Sequence, residues 1–306
     1  MKKSILIAFA LLLVGSLYSQ EEGSTLEQPR RPLETPWTQV ETDTFSKPVA
    51  PVYVRQNDVM YYHTTWRIID LREKRNHPYY FPTMTRGTWR SLAQTIFDAI
   101  NLTDPNAPNT LPVYSDEFCT MKMTPDELKN TLTEIRTITR YDPETNEPIG
   151  TDEVYEEFTS EQILLYRIKE IWFFDKQRSV LEVRILTIEP ILEYDKVVNS
   201  APNQTEEDNV LGGEKVMRKT GIIMWEELRP YLVQQEMFNV KNNAARLSYD
   251  DAMTWKRQFA SFIYQEQNTY SDRAIQDYIK NPREQMIESE RINEKIRMFE
   301  HELWEF

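Results

Sequence analysis

Residues 164–192, LLYRIKEIWFFDKQRSVLEVRILTIEPIL, leave few choices of fold. The second half of the stretch alternates, with Leu181, Val183 and Ile185 set against Glu182 and Arg184. The first half is rich in branched and aromatic side chains, and residues 175–179 supply a polar turn. Successive side chains on a strand point to opposite faces, so this pattern predicts one long β-hairpin. Adjacent Trp172 and Phe173 must then serve different faces, and both faces need cover. Overlying helices are expected on one face, and helices or another subunit on the other.

The rest of the chain arranges itself around that hairpin as an α+β fold: antiparallel β-hairpins packed with several helices, an extended N-terminal arm and a helical C-terminal region. Lys2 and Lys3, an apolar run over 5–14 and a short polar stretch give residues 1–19 the layout of a secretory signal, too short to serve as an anchor. No cysteine stands at the cleavage point to carry a lipid, so an exported, soluble chain beginning near Gln20 is expected. Residues 20–55 hold Pro29, Pro32, Pro36, Pro48 and Pro51, which exclude a helix or central strand. Trp37, Val40, Phe45, Val49, Val52 and Tyr53 are spaced among them, so this arm is expected to dock, on its own domain or on a neighbouring subunit.

Residues 56–199 form the expected α+β core. Val59, Tyr62, Trp66 and Ile69 follow Asp58 at three- and four-residue steps and predict a helix halted at Asn76-His77-Pro78. A second helix is expected over 88–100, carrying Trp89, Leu92, Ile96 and Ile100 on one face. Thr124-Pro125-Asp126-Glu127 is a capping box that opens a third. Residues 135–141 and 154–158 read as another hairpin with a long polar tip. Residues 200–214 form an acidic loop expected to separate two lobes, and 215–306 read as mainly helical, over 225–240, 249–264 and 271–306, with a break at Asn281-Pro282. In the last segment Ile292, Ile296, Phe299 and Leu303 fall on one stripe, as in a helix laid on a partner surface.

The chemistry is sparse. A formal charge of -13 with 49 acidic side chains excludes nucleic acid and anionic lipid as natural partners, since both select clustered Lys and Arg. Basic or mixed protein surfaces suit it better. His63, His77 and His301 are not at metal-ligand spacing, and neither a nucleophile elbow nor a phosphate-cradling glycine loop occurs. Asp142, Glu144, Asn146 and Glu153 occupy positions 1, 3, 5 and 12 of a calcium loop, but Glu147 stands where glycine is needed. Glu156-Glu157, Glu226-Glu227 and Asp250-Asp251 could work on glycans as acid and base, yet adjacent carboxylates diverge and are expected at a solvated surface. The single cysteine, Cys119, is expected as a buried thiol in a strand-like segment. No catalytic, cofactor or metal residue is assigned.

Four longer phrases carry a resemblance: DVMYYHTTWRIIDLREKRNHPYYFP at 58–82, IKEIWFFDKQRSVLEVRILTIEPI at 168–191, MWEELRPYLVQQEMFN at 224–239 and MTWKRQFASFIYQEQNTYSDRAIQDYI at 253–279. In these the chain resembles the GldN/PorN family of the type IX secretion and gliding-motility machinery. The resemblance implies a non-enzymatic periplasmic subunit of a ring-like assembly with the outer-membrane lipoprotein GldK/PorK. It also implies neighbouring copies of the chain and a functional link to the GldL/GldM (PorL/PorM) motor proteins. Trp37, Phe45, Val52 and Tyr53 in the arm, with Ile292, Ile296 and Phe299 in the last helix, are the expected interface residues. The alternative is a periplasmic carbohydrate or peptidoglycan binder or hydrolase, which requires two acids converging in a cleft beside an aromatic platform.

Overall fold

Strand β1 (Val59–Asp70) stands where the apolar spacing predicts a helix. Its residues are mostly β-branched or aromatic, which fit a pleated surface better than a helix. Partners on both sides then decide the outcome: β1 pairs antiparallel with β4 along almost its whole length and with β8 over Thr65 to Ile68. The computed structural model describes residues 47–84, 89–100, 110–141, 148–157, 159–195, 215–239, 242 and 246–302. Trp37, Phe45, the polar tip at 142–147, the acidic loop and Leu303 lie outside them.

The expected long hairpin is formed by β4 (Ile163–Asp175) and β5 (Val180–Asp195), joined through residues 176–179. With β6 (Lys215–Lys219) and β8 (Phe262–Glu266) it builds the order β6-β5-β4-β1-β8, and β7 (Ile223–Met224) adds to β5 beside β6. The sheet therefore takes strands from both sides of residues 200–214, which do not divide it into lobes. A separate hairpin, β2 (Thr133–Tyr141) with β3 (Pro148–Glu157), lies where expected.

Helix α1 (Leu92–Ile100) starts later than the spacing predicts. Helix α2 (Pro125–Leu132) begins at the anticipated box: Thr124 Oγ1 accepts from Glu127 N, and the Glu127 carboxylate accepts from Thr124 N at 2.9 Å. Helix α3 (Trp225–Gln234) is shorter than expected. Residues 249–264, expected to be helical throughout, are helical over 249–255, with a π-type turn at Asp251–Trp255, and then give β8, because Ile263 and its neighbours complete the sheet against β1. Helix α4 (Pro282–Glu302) follows the break at Asn281.

Alternation places His63, Thr65, Arg67 and Ile69 of β1 on one face with Tyr166, Ile168, Glu170 and Trp172 of β4. That face carries two apolar clusters. In the larger, Ile69, Tyr166, Ile168, Ile188 and Leu192 pack beneath α1 and α3 through Leu92, Ile96, Trp225, Leu228 and Leu232. In the smaller, Ile263 and Ile275 meet Ile292 and Ile296 of α4, with Trp172 and Leu181 against them. A charged belt lies between: Glu170, fully buried, pairs with Arg67 at 3.1 Å and Arg257 at 2.7 Å. Arg67 also donates to Asn293 of α4 at 2.8 Å, and each arginine lies 5.6 Å from the Trp172 ring.

Phe173 faces the other way, as expected, with the Arg184 guanidinium 4.9 Å above its ring. On this second face the loop 114–122 lies against Lys169, whose ammonium sits over Trp66 at 5.1 Å and Phe118 at 5.3 Å. Cys119 is therefore half-buried in a turn with φ of 55°, not inside a strand. The turn is closed by the Asp116 carboxylate, which accepts from Thr120 N and Met121 N.

Candidate docking surface

Residues 47–55 lead into β1 as an extended strap. Pro48 and Pro51 fix two φ angles and remove two amide donors, so ladder pairing is poor and the strap is held from outside. Two guanidinium groups hold it. Arg229 of α3 donates to the Val49 carbonyl at 2.5 Å, and Arg184 of β5 donates to the Val52 carbonyl at 2.6 Å. At the far end Lys176 N donates to the Asp58 carbonyl at 2.9 Å. The three anchors follow β5 back to its hairpin turn, along the stretch 180–186 that has no outer ladder partner among the described residues.

The Arg229 grip is strong because its other donors are committed. It meets Asp250 at 2.9 and 3.1 Å and Glu226 at 3.3 Å, with both Arg229 and Asp250 buried. Burial works against the guanidinium charge, but Asp250 and Glu226 outweigh it and hold the group above its ordinary pKa. Asp250 is thus a buried partner, not the solvated carboxylate expected from the pair Asp250-Asp251.

Because the contacts run through backbone carbonyls, the apolar side chains of the strap turn outward. Val49 is 61% exposed, Val52 46% and Tyr53 84%. Val180 and Leu186 of β5 are exposed on the same flank; Leu186 is pushed out by a bulge opposite Lys169 and Glu170. Lys47, Arg55 and Lys176 are also exposed. The flank is therefore apolar with charges of both signs around it, since the exposed Glu226 carboxylate sits beside Arg229 at the Val49 clasp and Glu182 beside Arg184.

Of the sequence-expected interface residues, Val52 and Tyr53 lie on this surface. Ile292 and Ile296 do not. They are 2% and 3% exposed and fill the smaller core, so the stripe of α4 is covered by the chain's own sheet rather than left for a partner. Each such burial contributes about 1.5–3 kcal/mol. Ser289 of the same stripe accepts from Ile263 N at 2.7 Å, and Phe299 stacks on Tyr61 at 4.2 Å. The signal for α4 was correct as periodicity, but an amphipathic stripe does not say what covers it.

The remaining chemistry-bearing groups are dispersed. His63 meets Glu266 at 3.2 Å, His77 approaches the Arg72 carbonyl at 3.3 Å, and Glu227 accepts from Tyr114 Oη at 3.3 Å. Trp66, Glu117, Arg167, Lys169, Thr187, Glu189 and Ile222 line a cavity of about 10 Å³, the lower limit for one water. Among the described residues no three His, Cys, Asp or Glu side chains are grouped to hold a metal, and no helix is long and apolar enough to cross a membrane. The arginines that grip the strap were not singled out in the sequence. A usable signal was Arg229 itself, which interrupts the apolar face of WEELRPYLV and so calls for a buried partner.

A family model described as "Gliding motility associated protein GldN" matches residues 54–305. No curated protein matches the chain. The match begins at Val54, so the arm and most of the strap precede it.

Proposed function

The chain belongs to the GldN family of gliding-motility-associated proteins, and on that footing we propose that it is a non-enzymatic structural subunit of the periplasmic ring-like assembly of the type IX secretion machinery. In this reading it is held at the outer membrane by a GldK/PorK-like lipoprotein, sits beside copies of itself, and is coupled functionally to GldL/GldM-type motor proteins. One observation carries it: a strap clasped by Arg184 and Arg229 through its backbone, with Val49, Val52 and Tyr53 left to solvent. Apolar side chains held outward on a fixed backbone suit a surface that another protein covers.

The test is size-exclusion of the purified mature protein with and without the lipoprotein, followed by secretion and gliding assays in cells carrying the wild type or a strap variant. Co-migration that depends on the strap, with secretion lost when the strap is altered, supports the subunit role. A protein that ignores the lipoprotein, and whose altered strap leaves secretion intact, contradicts it.

A further inference from the structure

We propose that residues 262–302 form a lid, which lifts as one unit from the face of the sheet that carries both cores while the rest of the chain stays folded. The inference concerns this chain alone and stands apart from the subunit reading above. β8, the short helical turn Ile275–Tyr278 and α4 share the smaller core, built on Ile263, Ile275, Ile292 and Ile296. The larger core draws on β1, β4, β5 and helices α1 to α3. Among the described residues no buried side chain belongs to both, and separate cores are the ground for separate cooperative units. The boundary is sharp. Phe259 lies in the larger core, and the next residue is clamped to the body: Asn76, fully buried, accepts from Ala260 N at 2.7 Å and donates to the Ala260 carbonyl at 2.9 Å. Ile263, a few residues on, already belongs to the smaller core.

What the lid shares with the body is shallow and largely polar. β8 pairs with β1 from Thr65 to Ile68, and the register slips between Trp66 and Arg67. Gln267 N donates to the Thr64 carbonyl at 2.9 Å, Glu266 meets His63 at 3.2 Å, and Phe299 lies against Tyr61. From the body, partly buried Trp172 and Leu181 reach the smaller core. The charged belt decides the case. Arg67, Glu170 and Arg257 all belong to the body, and the lid contributes the neutral amide of Asn293, 2.8 Å from Arg67. Removing one partner of a buried ion pair strands a charge, but lifting the lid leaves Glu170 with both of its arginines. On the other side Glu266 keeps Lys295 and Arg291, which lie on α4 within the lid. Opening therefore uncovers Tyr61, Trp172 and Leu181 beside the Thr65–Ile68 edge of β1, an apolar patch next to a row of backbone donors and acceptors that the closed chain hides.

The experiment is native-state hydrogen exchange on the protein from residue 20 onward, in stepped urea below the unfolding transition, read by mass spectrometry. Amides of β8 and α4 are expected to share one opening free energy and one urea slope, and to exchange about 100-fold or more faster than those of β4 and α3 once intrinsic rates are removed. Separate openings for β8 and α4, or protection equal to that of β4, overturn the proposal. In a second arm, Asn293→Ala removes the one bond from the lid to the belt at an exposed position. It is expected to raise exchange in the lid on the order of ten-fold and to leave β4 and α3 unchanged. Acceleration spread evenly over lid and body, or none in the lid, counts against it.

Discussion

Glu170→Gln tests the charged belt that divides the two cores. The carboxylate is fully buried and lies 3.1 Å from Arg67, whose side chain is 6% exposed, and 2.7 Å from Arg257. At an effective dielectric of about 20 each attraction is roughly 5–6 kcal/mol before desolvation, which removes several kcal/mol per ion. The intact belt is therefore close to neutral for stability. Its disruption is not, because an amide of nearly the same shape leaves two guanidinium groups facing each other; burial, and after it Arg257, already push the Arg67 pKa down against the pull of Glu170. Loss of one partner of a buried ion pair costs about 3–5 kcal/mol. For a domain of this size that is a fall in Tm of roughly 6–20 °C, read by calorimetry or circular dichroism. The triple change Arg67→Met, Glu170→Leu, Arg257→Met removes every charge and is expected to cost less than Glu170→Gln alone. A Glu170→Gln protein within about 1 kcal/mol of the parent would refute the reasoning.

Other outcomes follow from single positions. Gly221→Ala introduces a Cβ where φ is +125°, colliding with the Val113 side chain and approaching Met123 Sδ at 2.9 Å; a loss of at least about 2 kcal/mol in a urea titration is expected. Ile292→Ala empties part of the smaller core and is expected to cost about 2–5 kcal/mol, with amide exchange accelerating in α4 before β4. Glu266 is held below the ordinary carboxylate pKa, first by the hydrogen bond from His63 and then by Lys295 and Arg291 of α4, against the effect of burial. A depressed folded pKa contributes stability above the unfolded value of about 4.3 and loses it as pH falls through the folded value. Attachment of α4 is therefore expected to loosen below about pH 4, reported by Trp172 emission, and Glu266→Gln is expected to flatten that change.

The hairpin was legible because β4 and β5 are long enough for alternation to show, and α2 because its capping box is local chemistry. The strands β1 and β8 were not. Val59, Tyr62, Trp66 and Ile69 satisfy a helical count, yet pairing with β4 and β8, distant in sequence, overrides it. The Arg67–Glu170–Arg257 belt joins residues up to 190 positions apart, and no local pattern announces it. The strap was legible as extended from its prolines. That it would be gripped by Arg184 and Arg229, and so turn Val52 and Tyr53 outward, depends on α3 and β5 being in place.

The most direct measurement is sedimentation of the protein from residue 20 onward bearing Val52→Ser and Tyr53→Ser, alone and with the GldK/PorK-like lipoprotein proposed as its partner. The account predicts an unchanged Tm, within about 1 °C for exposed positions, together with loss of the large complex. A variant that folds normally and still enters that complex at wild-type concentrations would contradict it.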